Sequence, residues 1–216
     1  MVEFEQTLGC LLGGAVGDAL GAPYENLWSE SIPDSDELLA EFGEFHGYPR
    51  GQYTDDTQLT LATIEAIVHR QSIDPHCIAT LIADLWQSQA VVGPGDACTR
   101  AADGFLANGD WRTCGAPVGQ AGNGTAMRTA AIGLYFARDP SELPQQVADI
   151  SRITHSDPRS IAGGVAIAKA TQISAVAENP APAEFCRAIA DGMVLFHEDF
   201  AKMVRQLPSL LAVDED

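Results

Sequence analysis

Apolar residues recur at three- and four-residue steps from the start of the chain, where Phe4, Leu8, Leu11, Leu12, Ala15, Val16, Ala19 and Leu20 make the first stripe. That period places them on one face of an α-helix, whereas a strand would alternate every second residue. The pattern returns from Leu59 to Val68, Ile78 to Trp86, Cys98 to Leu106, Met127 to Leu134, Leu143 to Ile153, Ile161 to Ile167, Phe185 to Phe196 and Phe200 to Leu211. Start and stop residues bracket these runs. Thr54 and the pairs Asp74-Pro75 and Asp157-Pro158 suit helix N-termini, where a side-chain oxygen accepts from a free amide and proline needs no partner; Asn108-Gly109 suits a C-terminus. No alternating run, internal repeat or interdomain linker is visible, so the sequence predicts one all-α domain over residues 1–216 with eight or nine helices.

Glycine modifies the first of these helices. Gly9, Gly13, Gly14 and Gly17 each cost a helix about 1 kcal/mol relative to alanine. Such a helix is expected at the centre of the core, where small residues let neighbours approach closely. It stops at Gly21-Ala22-Pro23, with Asp18 one turn earlier, expected to bond amides of a following loop, and Glu25 just beyond. From Asn26 to Gln52, Pro33, Gly43, Gly47, Pro49 and Gly51 leave room only for a short helical turn between Asp36 and Phe42, which predicts a lid or binding loop.

Charge narrows the partners. Thirty acids against twelve Lys plus Arg give the chain a formal net charge of −18. A field of that sign disfavours broad contact with nucleic acid or an anionic membrane, so a phosphate ligand needs a local device to hold it. At 216 residues the fold can bury on the order of 70% of the extended-chain surface, enough for a substantial core. The five cysteines are odd in number and show no C-x-x-C spacing, which reads as reduced thiols in a cytoplasmic protein. No leader pattern is present, and no apolar stretch approaches the roughly 18 residues of a membrane-spanning helix.

The densest candidate chemistry is Thr54-Asp55-Asp56, three oxygen-bearing side chains opening a helix whose later turns are apolar. An acidic first turn is an ordinary helix start, because negative charge meets the positive end of the dipole. The alternative is a hard divalent cation, Mg²⁺, Mn²⁺ or Ca²⁺, which takes carboxylate, hydroxyl and water oxygens. Burial decides between them: two carboxylates about 4 Å apart repel by about 1 kcal/mol in water and about 4 kcal/mol at an effective dielectric of about 20. A second candidate is Gly119-Gln120-Ala121-Gly122-Asn123-Gly124, leading into Thr125 and Arg128. A glycine loop that feeds a helix lets backbone N–H groups converge on an anion, with Arg128 near enough to help; otherwise Gly122 and Gly124 serve only a tight turn with positive φ. His155, at the corner between two helices, either bonds the backbone or contacts a ligand.

Taken in order, Gly9 to Gly21 with Tyr24-Glu25, then Tyr53-Thr54-Asp55-Asp56-Thr57, then Gly122-Asn123-Gly124-Thr125-Ala126-Met127-Arg128, then Thr154-His155-Ser156-Asp157 resemble the ADP-ribosylglycohydrolases, a family that includes the dinitrogenase reductase-activating glycohydrolases. The resemblance spans Gly9 to about Ala170 and fades beyond. It implies an all-α fold of that type with a binuclear Mg²⁺ or Mn²⁺ centre, cleaving ADP-ribose from an ADP-ribosylated protein side chain or small-molecule acceptor. By this resemblance Thr54, Asp55 and Asp56 look like metal ligands, and Glu25 looks like an active-site acid on the mobile loop, with Asp55 and Asp56 at the catalytic centre. Gly122, Asn123 and Gly124 look like a pyrophosphate cradle, with Thr125 and Arg128 beside it, and His155 looks like an ADP-ribose contact. Such cleavage passes through an oxocarbenium-like transition state, which metal can assist by orienting ribose hydroxyls and lowering the pKa of bound water, while Glu25 manages protons.

Family members also carry a C-terminal Gly-Asp-x-Asp-Thr motif that supplies further metal ligands, and no such sequence occurs here. Asp214-Glu215-Asp216 reads as a solvated acidic tail. The expectation is a C-terminally truncated domain holding at most one weakly bound divalent ion. A non-catalytic ADP-ribose-binding or structural homologue is the alternative.

Overall fold

The structure is a computed structural model that describes residues 2–211; the predicted tail, Asp214 to Asp216, lies outside the described residues. Among those residues the chain forms helices α1 (Phe4–Gly21), α2 (Ser35–Ala40), α3 (Asp55–Arg70), α4 (Pro75–Gln87), α5 (Asp96–Asn108), α6 (Ala130–Tyr135), α7 (Leu143–Ser151), α8 (Pro158–Ser174), α9 (Pro182–Met193) and α10 (Glu198–Leu211). Their β pairing is confined to two isolated bridges, Phe45 with Tyr48 and Ala116 with His155. The all-α expectation holds. The helix tally exceeds it because α2, the short turn expected between Asp36 and Phe42, stands as a six-residue helix of its own. The helix expected from Thr125 to Leu134 is interrupted: a 3₁₀ turn at Ala126–Arg128 precedes α6, and Thr129 between them donates its hydroxyl proton to the Gly164 carbonyl at 2.9 Å.

The predicted start and stop residues act as expected. Asp74 and Asp157 accept from amides of the first turns of α4 and α8, Thr54 from the Asp56 amide, and Gly109 closes α5 with φ +70°. The apolar stripes converge on one core in which Leu59, Ile78, Ile132, Leu143, Val147, Ile150, Val165 and Met193 are fully buried. Each such side chain contributes about 1.5–3 kcal/mol by leaving water.

The central helix is α8, not α1, which corrects the sequence expectation. Ser160, Ile161, Ala162, Gly164, Val165, Ala168 and Gln172 of α8 are buried, and a Cβ on Gly164 would stand 2.7 Å from Thr125 Cγ2. That is the close approach the glycines of α1 were expected to serve. On α1 only Ala19 is buried, a Cβ on Gly9, Gly13, Gly14 or Gly17 would meet nothing within 4 Å, and Leu12 and Val16 are 56% and 47% exposed. Composition marks both helices as ready for close packing, but among the described residues it is α8 that packs against α6, α7 and α9, with a narrow face, at Ile167, left in solvent.

The connection from Asn26 to Gln52 is pinned near its far end. Phe45 is buried beside Gly93, where a Cβ would lie 3.0 Å from its ring, while Trp28 and Leu39 project into solvent. Among the described residues no helix is long and apolar enough to cross a membrane.

Candidate active site

One wall of the site is the N-terminus of α3. Thr54 is fully buried in extended geometry; its hydroxyl donates to Asp18 Oδ1 at 2.7 Å and accepts from the Asp56 amide at 3.4 Å. The Asp18 carboxylate also accepts from the Thr54 amide and from the amide and hydroxyl of Thr57. Asp18 thus fastens the end of α1 to the start of α3, the structural role expected of it. The Asp55 amide donates to Val92 O at 2.8 Å, tying α3 to the loop before α5.

Asp55 is 5% exposed and Asp56 half-buried, yet neither carboxylate accepts a hydrogen bond from another residue or pairs with a cation among the described residues. Burial, then the charges of Asp56, Glu25 and Asp18, pushes the Asp55 carboxyl up to about 7. Burial, then Asp18 and Glu25, pushes Asp56 up to about 6. Glu25, exposed beyond the end of α1, is also raised, by burial and then by Asp18. Clustered carboxylates with uncompensated charge and hard oxygen donors fit a divalent cation such as Mg²⁺ or Mn²⁺. No group of three or more His, Cys, Asp or Glu side chains is placed to enclose a metal among the described residues, so water would complete the shell. Thr54, already bonded twice, has one lone pair left for such an ion.

The opposite wall is the loop from Val118 to Gly124. Asp157 accepts from the Gly119 amide at 2.7 Å and is held well below the usual carboxylate range by its hydrogen bonds from Arg159. Ser160 Oγ accepts from the Gly122 amide at 2.9 Å and donates to the Gly122 carbonyl at 2.8 Å. The Asn123 carbonyl accepts from the Met127 amide, and the Gly124 carbonyl from Arg128 Nε at 3.0 Å. The amides of Asn123 and Gly124 have no protein partner among the described residues. Gly119 is the glycine of this loop with positive φ, +98°; Gly122 and Gly124 are required for a different reason. A Cβ on Gly122 would stand 2.7 Å from His155 Nε2, and one on Gly124 would stand 2.7 Å from His155 Cε1 and 2.8 Å from Cys98 Sγ.

His155 lies against the inner side of this loop, 3% exposed, with Nδ1 unpartnered; burial, then the Arg128 charge, lowers its pKa to about 4, so the ring is neutral near pH 7. Cys98 is a buried thiol pushed up to about 12 by burial and then by Asp55, and therefore poorly nucleophilic. Arg128 is fully buried and donates to the carbonyls of Gly124 and Ile150 and to Thr154 Oγ1, with Nη1 unpartnered. Its place is behind the loop, not on the ligand-facing surface expected from the sequence. Thr125 is also fully buried, its hydroxyl unpartnered.

Between the walls is a cleft of about 500 Å³ that brings Glu25, Asp55 and Asp56 together with Gly122, Asn123, Gly124 and His155; Asp96 and Cys98 also line it, and no Lys or Arg does among the described residues. A groove of about 300 Å³ continues from Glu25, Asp56 and Met127 along the glycine edge of α1. Ser160 and the turn from Gly93 to Ala97 were missed by sequence reasoning. Asp157-x-x-Ser160 at a helix start is the one local signal that could have raised Ser160.

Comparison with known proteins identifies the family. The ADP-ribosylglycohydrolase family profile matches residues 2–215, well past Ala170, where the motif resemblance ends. The chain is 31% identical over 200 residues to an ADP-ribosyl-[dinitrogen reductase] glycohydrolase of Rhodospirillum rubrum, covering 91% of this chain and 66% of that protein. It is 25% identical over 181 residues to the ADP-ribosylhydrolase ARH3 of Gallus gallus, covering 77% and 49%. A solved ADP-ribosylglycohydrolase-related protein complex superposes with a TM-score of 0.70 at 28% identity, covering 94% of this chain and 65% of that one. The chain thus spans about half to two thirds of the length of these relatives. With the family profile matching nearly the whole chain and the helical fold superposing on a solved relative, it belongs to the ADP-ribosylglycohydrolase family.

Proposed function

We propose that the cleft binds ADP-ribose and that the chain acts in hydrolysing the glycosidic bond between ADP-ribose and a protein side chain or small acceptor. The observation that carries the reading is the pairing of two unlike walls across one cavity: unpartnered carboxylates of Asp55 and Asp56 on one side, free amides of Asn123 and Gly124 on the other. The amides suit a diphosphate, which an acidic cleft without Lys or Arg could not otherwise hold. The carboxylates, with Thr54 Oγ1 beside them, suit Mg²⁺ or Mn²⁺. Such an ion, when bound, supplies charge stabilisation, orientation of ribose hydroxyls and a more acidic bound water. Glu25, exposed at the edge of the cleft just beyond α1 and with a raised pKa, would hold or deliver a proton at the scissile bond. His155, neutral and packed behind Gly122 and Gly124, supports the ligand-binding loop and offers Nε2 to the ligand. Free thiols at all five cysteines fit a reducing, cytoplasmic setting.

A second reading is supported by one observation: no three-acid cluster encloses a metal among the described residues. On that reading the chain alone binds ADP-ribose without turning substrate over. A thermal-shift titration with ADP-ribose, with and without Mn²⁺, combined with an assay of ADP-ribose release from ADP-ribosylated arginine, separates the two. Stabilisation with turnover supports the hydrolase, and stabilisation without turnover supports the binding module. No stabilisation by any of these ligands would sink both.

A further inference from the structure

The loop facing the acidic wall is held by one small hydroxyl whose position determines which amides a ligand can meet. Ser160 is 4% exposed and lies in the first turn of α8, the helix with the most buried residues among those described. Its Oγ takes both polar groups of Gly122, accepting from the amide and donating to the carbonyl. A trans peptide directs its C=O and the following N–H to opposite sides, and no cis peptide occurs among the described residues. Holding the Gly122 carbonyl on the α8 side therefore turns the Asn123 amide away from α8. The next peptide repeats the arrangement: the Asn123 carbonyl is held by the Met127 amide at 3.1 Å, which turns the Gly124 amide away in the same manner. Two successive donors are left without protein partners on residues that line the cleft, while the Gly122 amide, although on an exposed residue, is already used.

We infer that Ser160 is the positioning residue for a diphosphate in this cleft, consuming the Gly122 amide and presenting those of Asn123 and Gly124. The inference rests on the ADP-ribose reading above and makes it more specific, since a glycine loop without this clamp could offer any of its amides. Three features make the clamp rigid. Asp157, one turn ahead of Ser160, bonds the Gly119 amide, so the start of α8 grips the loop at two points. Arg128 Nε and Thr154 Oγ1 hold the Gly124 carbonyl from beneath. His155 fills the space under Gly122 and Gly124, preventing inward collapse. Donors fixed in place before the ligand arrives lose little entropy on binding, and a hydroxyl remote from the ligand can thereby control affinity.

The test is an amide-resolved NMR titration of the full chain with inorganic pyrophosphate and, separately, ADP-ribose. In the wild-type protein the Asn123 and Gly124 amides should move, with Gly122 nearly still. Ser160→Ala should keep the core amide spectrum, shift the Gly122 resonance before any ligand is added, and weaken pyrophosphate about tenfold, as expected when one fixed donor is lost. A merely structural serine would leave the pattern of responding amides unchanged. If Ser160→Ala binds pyrophosphate within twofold of wild type, with the same Asn123 response, the positioning role is overturned and the diphosphate reading survives. The positioning role is likewise overturned if Gly122 is the main responder in the wild-type protein, a measurement that decides the matter even if the variant does not fold. A wild-type chain that takes neither probe overturns the positioning role together with the reading beneath it.

Discussion

The two walls of the cleft are built on opposite physical rules. On the α3 side Asp55 and Asp56 stand half-buried or deeper beside Glu25 and Asp18 with no cationic side chain paired to them among the described residues, and their raised pKa values record that strain. On the α8 side Asp157 is paired with Arg159, Ser160 and Arg128 hold carbonyls, and the loop is tied at Gly119, Gly122 and Gly124. The first wall is incomplete without something positive; the second is complete and waits for something negative. A single ligand carrying a diphosphate, with a divalent ion beside its ribose, would satisfy both. The contrast also separates stability from binding, because the strained wall should gain from losing charge while the tied wall should lose from almost any change.

The largest effect is therefore expected on the tied wall. Gly124→Val would drive branched carbons into His155 and Cys98, and should destabilise the fold by about 3 kcal/mol or more, as overpacking of a buried site does. Thermal unfolding and ADP-ribose calorimetry would check this; a variant as stable as wild type would mean the loop is not packed as described. On the strained wall, Asp55→Asn should act in the opposite direction, stabilising the cation-free protein by about 2 kcal/mol near pH 8 while abolishing the Mn²⁺-induced shift. Loss of stability in that variant would show that Asp55 already has a favourable partner.

A smaller effect is expected from pH. Both carboxyls hold protons to higher pH in the fold than in the unfolded chain, so between about pH 4 and 7 the fold binds more protons and stability falls as pH rises. His155 works against this between about pH 6.5 and 4, where the unfolded ring protonates and the folded one does not. The cation-free protein should melt about 1 kcal/mol more stable at pH 6 than at pH 8, with the difference erased in Asp55→Asn or by Mn²⁺ at pH 8. A melting profile that rises with pH through this range would contradict the assignment. The smallest effect on folding belongs to Glu25→Gln, which should change stability by under about 0.5 kcal/mol because the side chain is exposed, yet lower turnover by about a hundredfold. Unchanged hydrolysis would remove Glu25 from the catalytic group.

Much of the fold was legible because helix signals are local. The three- and four-residue steps, the caps at Thr54, Asp74 and Asp157, and the stop at Gly109 depend on a few neighbouring residues, and each appears where its spacing placed it. The misplacement of α1 came from reading glycine as a mark of burial. Glycine permits close approach but does not supply the neighbour, and on α1 none stands within 4 Å of the glycine Cβ positions. Arg128 was drawn toward the ligand by its charge, although its guanidinium is buried beneath the loop, where it donates to the carbonyls of Gly124 and Ile150.

By itself the sequence determined the helical class, the helix-start geometry that gathers Thr54, Asp55 and Asp56, and the glycine loop that ends at Gly124, since each follows from backbone preferences acting over one or two turns. Only the tertiary structure decided that these segments, far apart along the chain, face each other across one cleft, that α8 is the hub, and that Ser160 chooses which amides are free. Those outcomes depend on which helix faces meet, and that is settled by the collective packing of the core, in which every side chain's place depends on all the others.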